Sequence, residues 1–273
     1  MGVTGPVALT IAGTDSSGGA GATADLKVFE ALGVWGMVAV TAVTVQTSLG
    51  VSAVHAVPPA VIAAQVAAVA GDVPVAAAKT GMLGSADAVA AVASSVGSAR
   101  VGPLVVDPVM VSSHGERLLA ENALEVFRTR LLPRAAVVTP NLAEAAVLAG
   151  FPVDDRSSMV AAARSLLALG PAAVLVTGGH LGDARSSPDL LVTEDGVEWL
   201  EGARLDQPHT HGSGCVLSAA ITAFLALGAS PLWACRQGKR VVTAAIAAGG
   251  PLGGGIGPVD PGGAVRRAGA SGF

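Results

Sequence analysis

Short β-branched runs alternate with longer alanine- and leucine-rich segments along almost the whole chain. Val7–Ile11, Val38–Val45, Val75–Ala78, Pro103–Val106, Ala136–Val138 and Ala173–Thr177 read as strands, with helices between them. Several of these runs lack the polar alternation of a strand with one wet face, so both faces are covered. The pattern therefore predicts an α/β fold of three layers, a mostly parallel central sheet with helices on both faces. Glu194-Asp195-Gly196, between Leu190–Thr193 and Val197–Leu200, predicts a hairpin at a sheet edge or a small flap. No linker-like stretch or internal repeat interrupts the series, so residues 1–273 are expected to form a single domain, irregular only in the glycine-rich tail after Gly249.

In such a sheet ligands collect beyond the carboxyl ends of the strands. Polar residues fall there repeatedly: Ile11 leads into Gly13-Thr-Asp-Ser-Ser-Gly-Gly-Ala-Gly21, Val45 into Gln46, Ala78 into Lys79-Thr-Gly-Met82, Val106 into Asp107-Pro108, and Val138 into Thr139-Pro-Asn141. The densest chemistry lies in His209-Thr-His-Gly-Ser-Gly-Cys215, which runs straight into the apolar stretch Val216–Leu227. Gly212 and Gly214 flank Ser213 where a helix should begin, so free backbone N–H groups and the positive end of a helix dipole make a seat for an anion. Cys215 falls in the first turn, where the dipole is expected to lower its pKa and favour thiolate. The plainer reading is a glycine-rich turn with Cys215 as a small buried hydrophobe.

Composition narrows the class. Hydrophobic residues make up 51% and charged residues 13%, which excludes a disordered chain. A net charge of −4 offers no general attraction to nucleic acid. The two cysteines, Cys215 and Cys235, lack zinc-site spacing and suit a reduced, cytoplasmic setting. No lysine or arginine precedes Lys27, as a secretory signal would require, and Pro6 spoils a myristoylation motif at Met1-Gly2. No apolar segment reaches membrane-spanning length, so no membrane is expected as partner.

The remaining candidates each have two readings. Gly13-x-x-x-x-Gly18 begins like a P-loop, but Gly19 and Ala20 stand where lysine and a hydroxyl residue are needed, and Gly19-Ala-Gly21-Ala-Thr-Ala24 fits a dinucleotide fingerprint only loosely. A close-approach loop admitting a small ligand describes the segment better. Asp25, on the helix that follows, is either an acceptor for a substrate's polar groups or a solvated helix-face charge. Asp107, held at a strand terminus before Pro108, suits a magnesium shell or an ordinary Asp-Pro turn. Asn141 and Glu144 have capping-box spacing, which explains both without chemistry. His55, His114 and His180 show no metal spacing; His209 and His211 shape the anion loop or are simply polar loop residues.

Taken together, Ala8-Leu-Thr-Ile-Ala-Gly-Thr-Asp15, Ser17-Gly-Gly-Ala-Gly21, Ala24-Asp-Leu-Lys27, Gly81-Met-Leu83, Thr139-Pro-Asn-Leu-Ala-Glu-Ala145, Gly178-Gly-His180, Thr210-His-Gly-Ser-Gly-Cys215 and Gly255-Ile-Gly-Pro258 closely resemble the hydroxymethylpyrimidine/phosphomethylpyrimidine kinases of thiamine biosynthesis. The resemblance spans nearly the whole sequence. It implies a ribokinase-like fold and an ATP- and magnesium-dependent homodimer that phosphorylates 4-amino-5-hydroxymethyl-2-methylpyrimidine and then its monophosphate. By position it implies Gly13, Asp25, Gln46, Met82 and Val109 around the pyrimidine. Asp107 and Glu144 would organise Mg2+, and Gly212, Ser213 and Gly214 would form the anion hole, with Cys215 as the proton acceptor. Ser213, Lys239, Thr177 and Asn141 would face the nucleotide. Thr177 stands where such enzymes often carry a phosphate-facing lysine, and Ser16, Thr47 and Gly254 replace a common proline, asparagine and histidine. Three alternatives stand beside this: a pyridoxal or related vitamin kinase, since close relatives share the glycine-rich anion motif; a noncatalytic pyrimidine-binding protein that kept the pocket and lost transfer; and a thiol hydrolase using Cys215 with His209 or His211.

Overall fold

The computed structural model describes residues 5–111, 118–179, 181 and 185–268, with side chains described as far as residue 264. His114, His180 and Met1-Gly2 thus lie outside the described residues. Ten strands are described, eight of them in one sheet: β1 (Val7–Ala12), β2 (Trp35–Val40), β5 (Val75–Thr80), β6 (Leu104–Val106), β7 (Ala135–Val138), β8 (Ala173–Thr177), β9 (Asp189–Thr193) and β10 (Gly196–Leu200). The order across the sheet is β10-β9-β8-β7-β6-β5-β1-β2. Strands β2 to β8 of this sheet run parallel, and β9 and β10 are antiparallel additions at one edge. The hairpin expected around Gly196 is therefore the sheet edge.

Alternation along the strands divides the core. Leu9, Ile11, Ala78, Val106, Val138 and Val176 face a layer built from α2 (Pro59–Asp72), α3 (Ala86–Ser98), α4 (Ala123–Val126), α5 (Leu142–Ala149) and α6 (Arg156–Leu167). Ala8, Ala77, Val105, Val137 and Leu175 face α1 (Gly21–Ala31), α7 (Ser213–Ala226), α8 (Pro231–Ala248) and α9 (Pro261–Ala268). Helix α7 is buried along Val216–Leu225, which explains why its sequence is apolar all round rather than on one stripe. Gly238 of α8 lets the two helices approach, since a Cβ there would stand 2.6 Å from Ile221 Cγ1.

The expected strand Val38–Val45 is in fact two. The chain leaves the main sheet at Thr41, whose N–H donates to the Ala12 carbonyl and whose hydroxyl donates to the Met82 carbonyl at 2.5 Å. It then forms a separate antiparallel pair, β3 (Ala42–Thr47) with β4 (Gly50–Ala56). Strand β4 was not foreseen from the sequence. This pair, and not the 190–200 hairpin, is the flap: Ala42, Thr44 and Gln46 turn inward while Val43 and Val45 are exposed. The region after Gly249 is irregular only as far as α9.

Candidate active site

Register and alternation set the floor of the site. Thr10 pairs with Lys79, and Lys79 with Val105, so Thr10 and Lys79 point with Val105 toward α1 and α7, as does Asp107 two residues on. Lys79 is wholly buried, and its Nζ meets Asp25 Oδ1 at 2.8 Å. The Thr10 hydroxyl donates to Asp25 Oδ2 at 2.6 Å. Burial alone would lower the Lys79 ammonium, but the charges of Asp25, Cys215 and Asp107 around it prevail and hold it above the ordinary lysine range. Asp25 therefore differs from both of its expected forms. It is no solvated helix-face charge, and each of its oxygens is already engaged beneath the cavity.

Two backbone loops close over this floor. The Gly13–Gly21 loop winds around Asp15: Oδ1 accepts from the Ser17 N–H and hydroxyl, both at 2.8 Å, and Oδ2 accepts from the N–H groups of Gly19 at 3.2 Å and Ala20 at 2.9 Å. Burial would raise the Asp15 carboxyl, yet these bonds and the His211 contact hold it below its usual value. The second loop, residues 209–212, lies against the first. Gly212 has φ +81°, and a Cβ there would fall 1.8 Å from the Gly19 carbonyl oxygen, so only glycine permits this approach. His209 Nδ1 accepts from the Gly257 N–H at 3.0 Å, and both histidines shape the loop.

Helix α7 starts at Ser213 with Gly212 at its N-cap and no side chain capping it; the Ser213 N–H donates to the Thr210 carbonyl at 3.2 Å, and the N–H groups of the turn that follows carry no side-chain cap. Gly214 is exposed there and Ser213 half-buried. The glycine turn read from the sequence does open a helix here, at Ser213. Cys215 sits in its first turn and accepts from the Gly21 N–H at 3.4 Å. Its titration runs against expectation: burial pushes the thiol up to about 12, and the opposing pull of Lys79 and the Gly21 N–H is smaller. Position in the first turn of a helix thus does not make Cys215 a thiolate: loss of solvation, with the Asp25 and Asp107 charges, prevails over the Lys79 charge.

Of the acceptor-site residues, Gly13 and Met82 are brought together at the base of the flap that carries Gln46. A Cβ on Gly13 would meet Met82 Cε at 2.5 Å, and the Thr14 N–H donates to Ala42 at the flap's base. The flap carries Gln46 to 3.4 Å from His211. Val109 is half-buried and follows Asp107, to whose carbonyl its N–H donates at 2.9 Å.

Asp107 is buried and accepts from the Ser218 hydroxyl of α7 at 2.8 Å, while Glu144 reaches it from α5 in the other layer. Asn141 and Glu144 form the expected capping box, with both of its bonds at 3.0 Å. Glu144 is nevertheless not accounted for by capping alone. Burial and the Asp107 charge raise it to about 8, and burial raises Asp107 as well. The neighbouring Thr139 hydroxyl is buried without a hydrogen-bond partner among the described residues. Hard oxygen donors that repel each other and an unsatisfied hydroxyl fit a magnesium ion, though no group of three His, Cys, Asp or Glu residues gathers among the described residues.

Along the strand ends, Thr177 lies beside Asn141 and its N–H donates to the Pro140 carbonyl at 2.9 Å. Three strand spacings, about 14 Å, separate β8 from β5. Lys239 corrects another expectation. Its Nζ is bound to Asp189 Oδ2 at 2.8 Å and to the Ser187 carbonyl at 2.7 Å, so it fastens α8 to the β9 side rather than offering a free ammonium to a nucleotide.

A parallel α/β sheet with an amide-lined helix start, flanked by buried carboxylates at the strand ends, defines a ribokinase-like phosphotransferase. The family model for phosphomethylpyrimidine kinase matches residues 15–260. The hydroxymethylpyrimidine/phosphomethylpyrimidine kinase of Streptomyces coelicolor is 52% identical over 263 residues, which cover 96% of this chain and 97% of that protein. Among solved structures, an ADP complex of Bacillus subtilis pyridoxal kinase superposes with a TM-score of 0.89 at 38% identity, covering 96% of this chain and 99% of the other. The phosphomethylpyrimidine kinase of Clostridium difficile gives 0.78 at 38% identity, over 88% and 99%. The chain belongs to the phosphomethylpyrimidine kinase family. No helix among the described residues is long and apolar enough to cross a membrane.

The buried pair yields a stability prediction. Lys79→Met strands the Asp25 carboxylate without its cation and is expected to cost about 3–5 kcal/mol. Lys79→Met with Asp25→Leu, which removes both charges, should recover most of that loss. Denaturant midpoints of the two variants check the ordering.

Proposed function

We propose that this chain transfers the γ-phosphoryl group of ATP to the hydroxymethyl group of 4-amino-5-hydroxymethyl-2-methylpyrimidine and then to its monophosphate. The observation that carries the reading is the meeting of three separate segments at one cleft: Gly212 against Gly19, Cys215 against Gly21, and Gln46 against His211. Gly13, Met82, Val109 and the Gln46 amide hold the ring, over a floor charged by Lys79 and Asp25. Gly212, Ser213 and Gly214 at the start of α7 form the anion hole, with the Gly212 and Gly214 N–H groups toward the migrating phosphoryl oxygens and the Ser213 N–H shared with the Thr210 carbonyl. Thr177 and Asn141 line the nucleotide's end together with Ser213.

Asp107 and Glu144 would hold Mg2+ at their boundary, where the ion supplies charge neutralisation on the phosphate oxygens. The reading includes a cytoplasmic setting and a single domain over residues 1–273 that forms a homodimer, the last supported by the exposed Val43 and Val45 on the flap's outer face.

As the hydroxyl oxygen bonds to phosphorus and ADP departs, the hydroxyl proton passes to Cys215 Sγ. Because a loose transition state asks little of a base, a small thiolate fraction suffices. With the thiol near 12, that fraction grows about tenfold per pH unit over the working range, so kcat should still be rising at about pH 9. Cys215→Ala should remove this rise and lower turnover about 10²-fold or more with the fold intact; near-normal turnover would take the proton from Cys215 and leave the amide cradle standing.

A second reading is favoured by the pyridoxal kinases' superposition at a TM-score of 0.89: the acceptor is pyridoxal. Coupled ADP release with hydroxymethylpyrimidine, its phosphate and pyridoxal side by side, with and without magnesium, should show highest kcat/KM for the pyrimidines and no release without the metal. Pyridoxal turnover alone would replace the first reading with the second.

The magnesium assignment has its own test in stability. Glu144 has a folded pKa raised from 4.5 to about 8, so its contribution is full below about pH 4.5 and is lost as pH climbs through about 8. Metal-free protein should lose stability across that window, and Glu144→Gln should flatten the loss. Adding Mg2+ at about pH 8 should raise the melting temperature of the wild type and leave Asp107→Asn with Glu144→Gln unmoved; an equal rise in both would separate these carboxylates from the metal.

A further inference from the structure

One side chain joins the glycine loop, the flap and the start of α7. His211 is 4% exposed; its Nε2 stands 2.8 Å from Asp15 Oδ2 and 3.4 Å from Gln46 Nε2, and the next residue, Gly212, opens α7. Asp15 also accepts from Ser17, Gly19 and Ala20, four further donors on one carboxyl. A carboxyl with that many donors is ionised. The ring nitrogen facing it therefore carries a proton, and a protonated Nε2 cannot accept from the amide nitrogen of Gln46. At the other end of the amide, the Thr44 hydroxyl gives its proton to the Thr14 carbonyl at 2.9 Å, which leaves a lone pair rather than a proton for Gln46 at 3.4 Å.

The two ends of a carboxamide have the same shape, and hydrogen bonding decides between them. Both conflicts are relieved when Oε1 faces His211 and Nε2 faces Thr44: the single Nε2–H points mainly at Asp15 at 2.8 Å and offers the amide oxygen, at 3.4 Å, the weaker branch of a three-centre bond. The ring cannot turn away to escape the choice: a Cβ on Gly19 would fall 2.6 Å from His211 Cδ2, which measures how closely the glycine loop packs on it.

We infer that His211 is a positioning residue for the acceptor: held by Asp15, its Nε2–H fixes which way round the Gln46 amide stands, and so which donor–acceptor edge of a nitrogen heterocycle the flap reads. This rests on the reading of Gln46 as an acceptor-site residue. An amide locked in this sense presents its carbonyl on the side of the anion turn and its amino group on the side of the flap. A heterocycle with the opposite arrangement of ring nitrogen and amino group meets a mismatched edge.

The test is a double-mutant cycle between positions 211 and 46. His211→Leu keeps bulk and removes the donor, while His211→Gln returns an N–H near the position of Nε2. Acceptor and ATP KM are measured for each, with acceptor binding followed calorimetrically without ATP, in the wild-type and Gln46→Ala backgrounds. His211→Leu should raise acceptor KM and Kd about tenfold with ATP KM changed less than about twofold, and His211→Gln should recover most of the loss. In the Gln46→Ala background His211→Leu should add little.

Independent, additive effects would overturn the inference, as would an equal rise in both KM values. Thr44→Val, which strips the amide's other partner, carries the same cycle if His211→Leu does not fold. The cycle runs on whichever acceptor the wild type turns over, so failure on hydroxymethylpyrimidine would sink the substrate assignment and leave the His211 result to be judged separately.

Discussion

A lysine with no exposed surface has to be answered by a charge, and the answer it receives organises the rest of the site. Lys79 Nζ reaches Asp25 across 54 residues of sequence at 2.8 Å. Two ions taken out of water cost several kcal/mol apiece, and their attraction returns this only with good geometry and further hydrogen bonds. Thr10 supplies one such bond to Asp25. The pair thus fixes the start of α1 against β1 and β5 and forms the solid floor over which both glycine loops close. Its electrostatic effect extends further: the Asp107 carboxyl and the Cys215 thiol both feel the Lys79 charge, so the strand-end carboxyl and the first turn of α7 share one cation.

With the floor fixed, the roof is a matter of backbone proximity. Gly212 meets the Gly19 carbonyl, and Gly21 would carry a Cβ 2.3 Å from the Gly13 carbonyl. No side chain fits at these crossings, so the glycines do not merely loosen the loops. They allow two segments almost two hundred residues apart to touch, and they leave N–H groups rather than side chains facing the space between. Asp15 then rigidifies what glycine would otherwise make mobile by collecting the Ser17, Gly19 and Ala20 amides on one carboxylate.

Much of this was legible in the sequence, and the misses have physical causes. The strand ends were visible because a buried parallel strand is a continuous β-branched run and the polar residue after it breaks the pattern. The start of α7 was visible because glycines preceded an apolar stretch. Asp25 could not be placed, since spacing on a helix says nothing about a partner on a distant strand. Lys239 failed for the same reason, its partner Asp189 being on β9. The break at Thr41 was hidden because β2 and β3 are separated by a single residue, and Gly50–Ala56 mixes glycine, serine and histidine with its valines, so neither periodicity nor propensity marks it as a strand. For Cys215 the sequence showed the helix start but not the surroundings: the Asp25 and Asp107 carboxyls that add to the loss of water come from a distant helix and a distant strand end.

The superposition on pyridoxal kinases follows from this division of labour. Floor and roof handle what every acceptor in the class shares, a hydroxyl to be placed before a phosphoryl group, and nothing in the Lys79–Asp25 pair or the Gly19–Gly212 crossing distinguishes one heterocycle from another. Discrimination has to come from groups that meet the ring's edge, and on the proposed assignment of Gln46 these ride on β3, which has left the main sheet and is paired only with β4. A two-stranded ribbon has little stability of its own, so its inner residues hold position only by gripping the rigid loops. Ser16 bonded to the Thr44 carbonyl, Thr44 bonded to the Thr14 carbonyl, and Gln46 beside His211 are those grips. Ring preference can therefore change through substitutions at the flap's inner row while the catalytic floor stays as it is, and overall similarity of fold is a poor guide to which ring is taken.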